Sequence, residues 1–283
     1  MTTTLPAADH ATGTPRSVFD RTGYLLARGL FSPEETASLL AHAHELSARS
    51  AELAADHEYD PDSADPLLRH PRLMQPHLTD ARSREFLLAE RIRRVLVDLL
   101  QDEPLAVQTM IYFKPPGARG QALHQDQRYL QVSPGTCVAA WLALERTDPE
   151  NGCLTVVPGS HVVDVLCPVS SDTTRSFTSE TVPLPPGTEV VDVAMEPGDV
   201  LFFHGNLIHG SDPNTSADRF RTVIVGHYAT GGAQRISEWY PEALSFRGEG
   251  AALEPVASGG PCGEFVDGEF VVTSTVAAAL ARH

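Results

Sequence analysis

Two histidines and one carboxylate in this chain have the types and the spacing of a metal site. His124 and Asp126 are separated by one residue, and His209 follows much later in the sequence. In an extended segment, residues i and i+2 point to the same side, so His124 and Asp126 can both reach one ion. A distant strand would bring His209 as the third ligand. Two histidines and one carboxylate are the ligand set of mononuclear non-haem Fe(II) sites, which leave other metal positions open.

A nearby arginine and a serine extend this chemistry to an organic anion. The planar guanidinium of Arg221 can pair with a carboxylate through two parallel hydrogen bonds. An oxidase that consumes 2-oxoglutarate needs such a group, and Ser211 can add a hydroxyl hydrogen bond to the same carboxylate. Rival residues stand close by in the sequence, because His204 precedes His209 and Arg219 precedes Arg221. Spacing alone leaves both alternatives open.

Four ordered segments surround these residues and carry a family resemblance. They are QTMIYFKPPG (108–117), AAWLALERTDPENGCLTVVPGSH (139–161), EPGDVLFFHGNLIHGSDPN (196–214) and FRTVIVGHYA (220–229). Together they resemble the phytanoyl-CoA dioxygenase family of Fe(II)- and 2-oxoglutarate-dependent enzymes, over the range from about Phe19 to about Ala229. Several motifs in the same order are a more specific signal than the short His-x-Asp pair by itself.

The resemblance implies roles for individual residues. It implies that His124, Asp126 and His209 bind Fe(II), with His204 in the barrel wall, and that Arg221 anchors the distal carboxylate of 2-oxoglutarate. It also implies further contacts with this co-substrate, which we expect from Ser211, Trp141, Gln125, Met110, Gln108 and Arg72. Trp141 and Met110 are equally good core residues, so a purely structural role stays open for both.

The activity that the resemblance implies is hydroxylation of an unactivated C–H bond, with Fe(II) as the metal and 2-oxoglutarate and O2 as co-substrates. Family halogenases leave the carboxylate position empty, so Asp126 argues against halogenation. Desaturation, epoxidation and cyclisation use the same ligands and stay open. We expect a small organic substrate, specifically a natural-product biosynthetic intermediate. An acyl-CoA or carrier-bound acyl group is the second hypothesis. A metal-binding barrel without turnover and a zinc hydrolase are less favoured, since a hydrolase gives Arg221 no role.

The composition and the local sequence patterns limit which partners the protein can bind and where in the cell we expect it. The net charge of −16 argues against a nucleic acid or an anionic membrane as partner, because both would be repelled. No stretch is long and apolar enough to span a bilayer, and the N-terminal sequence lacks the pattern of a secretory signal. The 4 cysteines show no CxxC spacing, so we expect reduced thiols in a cytoplasmic enzyme.

Local patterns predict helices near the N-terminus and short strands after them. Ser32, Pro33 and Glu35 form a helix start with a capping box, and the helix should run to about Ser50. A second helix is predicted from Ser83 to Leu100. Short β-branched or aromatic strands are predicted at 106–113, 138–144, 154–157, 190–194, 200–203 and 222–228. Such strands favour a sandwich or a barrel. The resemblance implies a mainly β fold with flanking helices, a double-stranded β-helix of the jelly-roll, cupin-like type.

We expect one catalytic domain over residues 18–283, a length within the range of a single domain. Residues 1–17 are expected to be disordered. Lid insertions are expected near 54–80 and 162–187, and residues 231–283 form a C-terminal extension with a short helix at 274–282. Insertions on a barrel rim commonly carry substrate specificity, so we expect substrate choice to be made by residues 162–187 and 231–283.

Overall fold

The computed structural model describes residues 3–4, 13–50, 59–184, 187–240, 242–257, 260–266 and 269–275. The helices are α1 (Pro15–Thr22), α2 (Pro33–Ala48), α3 (Pro66–Arg69), α4 (Ala81–Leu87), α5 (Glu90–Leu100) and α6 (Gln127–Leu130), with 3-10 turns at Pro76–Leu78, Pro149–Asn151 and Ser160–Val162. The first strands are β1 (Thr3–Thr4), β2 (Tyr24–Ala27), β3 (Leu73–Met74), β4 (Leu105–Lys114), β5 (Gln121–His124), β6 (Cys137–Ala143), β7 (Leu154–Val156), β8 (Val169–Ser170), β9 (Glu180–Thr181) and β10 (Val191–Val193). The later strands are β11 (Val200–His204), β12 (His209–Ser211), β13 (Arg221–Ala229), β14 (Arg235–Ser237), β15 (Ala243–Leu244), β16 (Gly250–Ala251), β17 (Glu254–Val256), β18 (Pro261–Val266) and β19 (Glu269–Thr275).

Eight of these strands build a jelly-roll barrel from two facing sheets. The larger sheet has the order β16-β15-β4-β13-β6-β11-β2, with β3 added beside β4, and the smaller has the order β1-β10-β7-β12-β5. Along the chain, β4, β6, β11 and β13 fall in the larger sheet, whereas β5, β7, β10 and β12 fall in the smaller one. The predicted double-stranded β-helix with flanking helices is confirmed, as are the six strands predicted from the sequence.

Side-chain alternation along the larger sheet creates two separate cores. In β6, Ala139 and Trp141 point into the space between the two sheets, while Ala140 and Leu142 point outward to the helices. Successive side chains of a strand point to opposite faces, so one strand contributes to both cores. Because both faces are covered, β6 is buried along its whole length. The rigid sheet therefore has an inner face on which polar groups can be placed against a packed support.

The helices cover the outer face of the larger sheet, with one departure from the prediction. The capping box at Ser32 and Glu35 is confirmed, and α2 ends at Ala48. The single helix predicted from Ser83 to Leu100 is instead the pair α4 and α5, because Ala89 adopts an extended backbone with φ −64° and ψ 123°. The break lets side chains before and after it, such as Phe86 and Ile92, enter the same core. Among the described helices, none has the length and apolar character needed to cross a bilayer.

The predicted boundaries at the two ends of the chain need correction. Pro15 to Ser17 were expected to be disordered but begin α1, since the Thr14 hydroxyl caps the helix by accepting from the Ser17 amide at 3.3 Å. The other residues of that prediction, apart from Thr3–Thr4 and 13–14, lie outside the described residues. The helix predicted at 274–282 is also wrong at its start, because residues 274 and 275 belong to β19, while the rest lies outside the described residues.

A disulfide joins the insertion at 162–187 to the C-terminal extension. Cys167 and Cys262 are bonded, and the Cys167 amide donates to the Gly263 carbonyl at 2.8 Å. The expectation of four reduced thiols is wrong for this pair, because strand-like pairing brings together residues that are 95 positions apart. Cys137 and Cys153 are free and buried, as expected. The extension also adds β15 to the edge of the larger sheet beside β4.

Gly120 is the point at which the start of β5 approaches the end of β12. A Cβ atom on this residue would overlap the Ser211 carbonyl oxygen and lie 2.7 Å from the Asp212 carbonyl carbon. Backbone atoms cannot move aside as a side chain can, so Gly120→Ala should push the two strands apart. We expect a loss of about 1–3 kcal/mol in the free energy of unfolding, measured by denaturant titration.

Gly250→Ala is the matched control, because a Cβ at Gly250 meets no atom within 4 Å. It should leave the unfolding midpoint unchanged. Equal stability of the two alanine variants would contradict the close approach of β5 and β12.

Candidate metal centre and anion pocket

The pairing of β5 with β12 places two histidines opposite each other. His124 and His209 are direct partners in this antiparallel pair, and their ring centroids lie 4.1 Å apart. Asp126 follows the end of β5 and has helical backbone angles, φ −63° and ψ −31°, at the start of α6. The His-x-Asp segment is thus extended only up to its histidine, and the first turn of α6 directs the carboxylate back toward the rings.

The three predicted ligands form one compact group. Asp126 Oδ1 lies 3.6 Å from His124 Nε2 and 3.7 Å from His209 Nε2. One ligand atom from each residue lies within 4.8 Å of the others. Ligand bonds to a small divalent ion are about 2.0–2.2 Å long, so a single ion between the three can contact all of them. The donor set is one that non-haem Fe(II) accepts.

Backbone carbonyls fix which nitrogen of each histidine is free to bind a metal. His124 Nδ1 lies 2.9 Å from the Ala122 carbonyl, and His209 Nδ1 lies 2.9 Å from the Leu207 carbonyl. A carbonyl only accepts hydrogen bonds, so each Nδ1 carries the proton and each Nε2 presents a lone pair. Burial, together with the neighbouring His209, lowers the pKa of His124 to about 3. His124 is therefore neutral near pH 7, as a metal ligand must be.

His227 holds the far oxygen of the carboxylate. Its Nε2 donates to Asp126 Oδ2 at 3.0 Å, which leaves Oδ1 facing the two ligand histidines. Burial alone would raise the pKa of Asp126, but His209 and His227 hold it below its usual value, so the carboxylate stays ionised. The sequence analysis placed His227 in a core strand and missed this contact. In a strand, every second residue lies on the same face, so His227 faces the same side of β13 as Arg221. This periodicity is the sequence signal that could have predicted a role for His227 at the site.

A cavity opens beside the three ligands. Four other residues that we expected at the site line it, namely Met110, Trp141, Ser211 and Arg221. The lining residues that the sequence analysis did not identify are Tyr112, Gln121, Leu154, Phe177, Phe203, Gly210, Val225 and His227. The walls are therefore aromatic and apolar, with polar groups at the ligand cluster and around Arg221.

Arg221 is a buried cation with an unused donor. It begins β13, is 4% exposed, and its Nε atom has no hydrogen-bond partner among the described residues. Its Cζ lies 5.4 Å from the centre of the Trp141 ring, which packs against the guanidinium. Burial lowers the pKa of Arg221 to about 10, so the group is still charged near pH 7. A buried charge without a partner is costly, and an anionic ligand in the cavity would remove that cost.

The two rival residues are engaged elsewhere. Arg219 pairs with Asp148 at 2.7 Å and with Glu150 at 2.5 Å near the surface, so its guanidinium is already neutralised. His204 accepts a hydrogen bond from the Asn206 amide and lies outside the ligand cluster. The geometry therefore favours Arg221 and His209 over both.

Gln125 has a structural position rather than a place in the cavity. Its side chain donates to the Asn206 carbonyl at 2.9 Å and accepts from the Leu166 amide at 2.8 Å. These two contacts turn the side chain of Gln125 away from the ligand group and toward the 162–187 insertion. The expected contact of Gln125 with the co-substrate is replaced by this role.

Gln108 and Arg72 also fall outside the cavity lining. Gln108 is buried directly opposite His227 in the β4–β13 pair, at the closed end of the ligand cluster. Arg72 lies at the rim, with its Cζ 5.5 Å from the ring centre of Phe177. Phe177 lines the cavity and separates Arg72 from its interior. The structure therefore places neither residue in the lining of the cavity, although Gln108 faces His227, the residue that contacts Asp126.

Known proteins with similar sequences and folds point the same way. The sequence model of the family described as Phytanoyl-CoA dioxygenase (PhyH) matches residues 19–223. Dioxygenase lolE1 from Epichloe uncinata is 30% identical over 216 residues, covering 74% of this chain and 79% of that protein. Phytanoyl-CoA dioxygenase 1 from Oryza sativa subsp. japonica is 32% identical over 141 residues, 50% of each chain, so the match spans half of the rice protein. The crystal structure of EctD from S. alaskensis with bound Fe is similar at a TM-score of 0.65, with 26% identity and 90% of each chain covered.

His227→Phe keeps the ring volume but removes the donor to Asp126. Without that hydrogen bond the carboxylate can rotate, so we expect the affinity for Fe(II), measured by anaerobic titration, to fall about 10- to 100-fold. His227→Gln, whose amide can still donate, should recover most of the loss.

The control is Tyr228→Phe, one residue further along the same strand. The Tyr228 hydroxyl donates to the Leu87 carbonyl on the opposite face, so this change should cost about 1 kcal/mol of stability and leave the Fe(II) affinity unchanged. Wild-type Fe(II) affinity in a folded His227→Phe protein would show that the contact does not orient Asp126.

Proposed function

Since this chain belongs to the phytanoyl-CoA dioxygenase family, we propose that it is an Fe(II)- and 2-oxoglutarate-dependent dioxygenase that hydroxylates an unactivated C–H bond of a small organic molecule. The observation that carries this proposal is one cavity that holds both a three-ligand group and an unpaired buried cation. His124, Asp126 and His209 would hold the metal. Arg221 would hold the distal carboxylate of the co-substrate.

The metal and the co-substrate would carry out the oxidation, and the protein would bind and orient the reactants. Fe(II), when bound, would supply the activation of O2. One oxygen atom would enter succinate, which forms together with CO2 from 2-oxoglutarate. The other would enter the substrate as a hydroxyl group. The chain's own residues bind, orient and exclude water. Trp141 supports the guanidinium of Arg221 from one side. The apolar walls, including Phe203 and Val225, keep bulk water from the cavity next to the ligands.

The surroundings of the cavity favour a small organic substrate over an acyl-CoA thioester. A CoA group carries several phosphates, which proteins bind with free arginines and lysines. Three arginines on the surrounding segments already pair with carboxylates among the described residues, in the pairs Arg119–Asp65, Arg128–Glu180 and Arg175–Asp212. The net charge of −16 adds to this bias against a polyanion. A natural-product intermediate is therefore our first proposal, and an acyl-CoA or carrier-bound acyl group is the second.

We propose that the segment 162–187 forms part of the substrate-binding rim of a single domain, which begins at α1 and not at residue 18. Two contacts support this. Gln125, between the ligand residues, holds the segment through the Leu166 amide, and Phe177 from the same segment lines the cavity. The cytoplasmic location stays a prediction, and the bond between Cys167 and Cys262 argues against it, since disulfides are uncommon in a reducing cytosol.

Anaerobic addition of Fe(II) and then 2-oxoglutarate should produce the weak visible charge-transfer band of a metal-chelated 2-oxo acid. His124→Ala and His209→Ala should abolish this band because each removes a ligand. Arg221→Met should keep metal binding but raise the 2-oxoglutarate concentration at half-saturation about 10- to 100-fold, since it removes charged hydrogen bonds to the carboxylate.

His204→Ala is the matched control, because His204 is a largely buried histidine outside the ligand group. It should retain the band. If the wild type binds metal and shows no band with 2-oxoglutarate, the dioxygenase proposal fails in favour of a non-catalytic or hydrolytic metal site.

A screen for succinate release can decide between the two substrate classes. We expect turnover above the uncoupled background with small natural-product scaffolds and none with acyl-CoA thioesters, because Arg119, Arg128 and Arg175 already pair with carboxylates. Turnover with acyl-CoA alone would overturn this order of preference without affecting the dioxygenase proposal.

A further inference from the structure

Lys114 is the single lysine of the chain, and it lies buried beside Arg221. It is the last residue of β4 and the direct partner of Arg221 in the β4–β13 pair, so both side chains are on the same face of the sheet. Like charges directly opposite each other destabilise a sheet. Among the described residues, neither cation forms an ion pair with a carboxylate. Two adjacent buried cations without a counter-ion form a site for an anion.

Three acceptors hold the ammonium group of Lys114 in place. Its Nζ donates to the Asp212 carbonyl at 2.7 Å, to Ser211 Oγ at 2.8 Å and to the Gly152 carbonyl at 3.2 Å. An ammonium has three protons, so all of them are used. Gly152 leaves room for this arrangement, because a Cβ there would lie 3.0 Å from Nζ, and its φ of 71° also favours glycine. Lys114 therefore has one fixed position.

The contact with Lys114 determines what the Ser211 hydroxyl can do. Ser211 Oγ accepts from Lys114 Nζ at 2.8 Å and from the Gln121 amide at 3.3 Å. A hydroxyl oxygen has two acceptor positions, and both are filled. Its own proton must then be donated to another group. Ser211 lines the same cavity as Arg221, so the hydroxyl is held as a donor toward a ligand in that cavity.

We propose that Lys114 is a positioning residue for the co-substrate: it holds Ser211 as a hydrogen-bond donor and adds a second positive charge beside Arg221. Together the three residues would make the pocket selective for 2-oxo acids that carry a distal carboxylate. This inference rests on the proposed function and extends it to a residue outside the ligand group. Burial and the charge of Arg221 lower the pKa of Lys114, and a bound carboxylate would oppose that shift.

The test compares two 2-oxo acids that differ only at the distal end. 2-Oxoglutarate has a carboxylate there, and 2-oxopentanoate has a methyl group. With Fe(II) bound under anaerobic conditions, the charge-transfer band gives the dissociation constant of each acid. Lys114→Met should raise the dissociation constant of 2-oxoglutarate about 10- to 100-fold and leave that of 2-oxopentanoate unchanged.

Ser211→Ala tests the proposed route of action without removing Lys114. It should also weaken 2-oxoglutarate selectively, and adding it to Lys114→Met should cost less than it does in the wild type, because Lys114 acts partly through Ser211. Arg175→Met is the matched control. It removes an exposed cation that pairs with Asp212, next to Ser211, and should change neither dissociation constant.

A purely structural role for Lys114 gives a different result. If Lys114→Met weakens both acids equally, or if folded Ser211→Ala keeps the wild-type ratio of the two dissociation constants, the inference is overturned. If Lys114→Met does not fold, Lys114→Gln, which keeps an amide donor for Ser211 Oγ but removes the charge, takes its place in the same comparison.

Glutarate binding to the metal-free protein, measured by calorimetry, separates this inference from the proposed function. Absence of the charge-transfer band in the wild type would refute the dioxygenase proposal alone. Even in that case, loss of glutarate binding in both Ser211→Ala and Lys114→Met would support the inference. Glutarate binding that is unchanged in both variants would refute the role of Lys114.

Discussion

The register of β5 against β12 is the constraint on which the candidate site depends. It places His124 directly opposite His209 and brings both rings over the first turn of α6, where Asp126 lies. A shift of one residue would turn each side chain to the other face of its strand. The register is protected by close backbone contact, since Gly120 and Gly210 leave no space for a Cβ between the two strands. Strand pairing thus positions the three ligand residues without requiring a bound metal.

The interior of the barrel separates its charges. The carboxylate of Asp126 is held by histidines at one end of β13, and two cations, Arg221 and Lys114, stand at the other end of the same strand. Apolar residues such as Val225 lie between them and exclude water, which strengthens the fields of both groups. A dianion with a metal-binding end and a distal carboxylate is complementary to this arrangement. The fold therefore constrains the co-substrate more strongly than the prime substrate, whose contacts come from the rim.

Much of this arrangement could be predicted because it follows from local rules. The capping box at Ser32, the short strands and the order of the ligand motifs are all properties of nearby residues. What could not be predicted depends on pairing between distant segments. The two short ligand strands, Gln121–His124 and His209–Ser211, are too polar to be recognised, and their partners define them. The Cys167–Cys262 bond joins two segments without a shared motif.

The side chains that were misassigned have the same explanation. Gln125 was expected at the co-substrate, but its hydrogen bonds to the Asn206 carbonyl and the Leu166 amide hold it against the insertion. The roles of His227 and Lys114 were not recognised, because they come from distant residues: His227 hydrogen-bonds Asp126, and Lys114 is paired with Arg221. Sequence motifs identified which residues carry the chemistry, and strand register identified which residues support them.

Lys114 carries the single side-chain amine of this chain and is buried, so the permanent positive charges of the exposed side chains are guanidinium groups. Amine-selective acylating reagents, which react with unprotonated and accessible amines, therefore encounter one internal side-chain target, besides the α-amine, instead of many exposed lysines. The extent of acylation of Lys114 would therefore measure how often the structure around Lys114 and Arg221 opens to solvent. Lys114 can thus serve, without any added label, to measure the opening of the region where β4, β12 and the 151–152 turn meet.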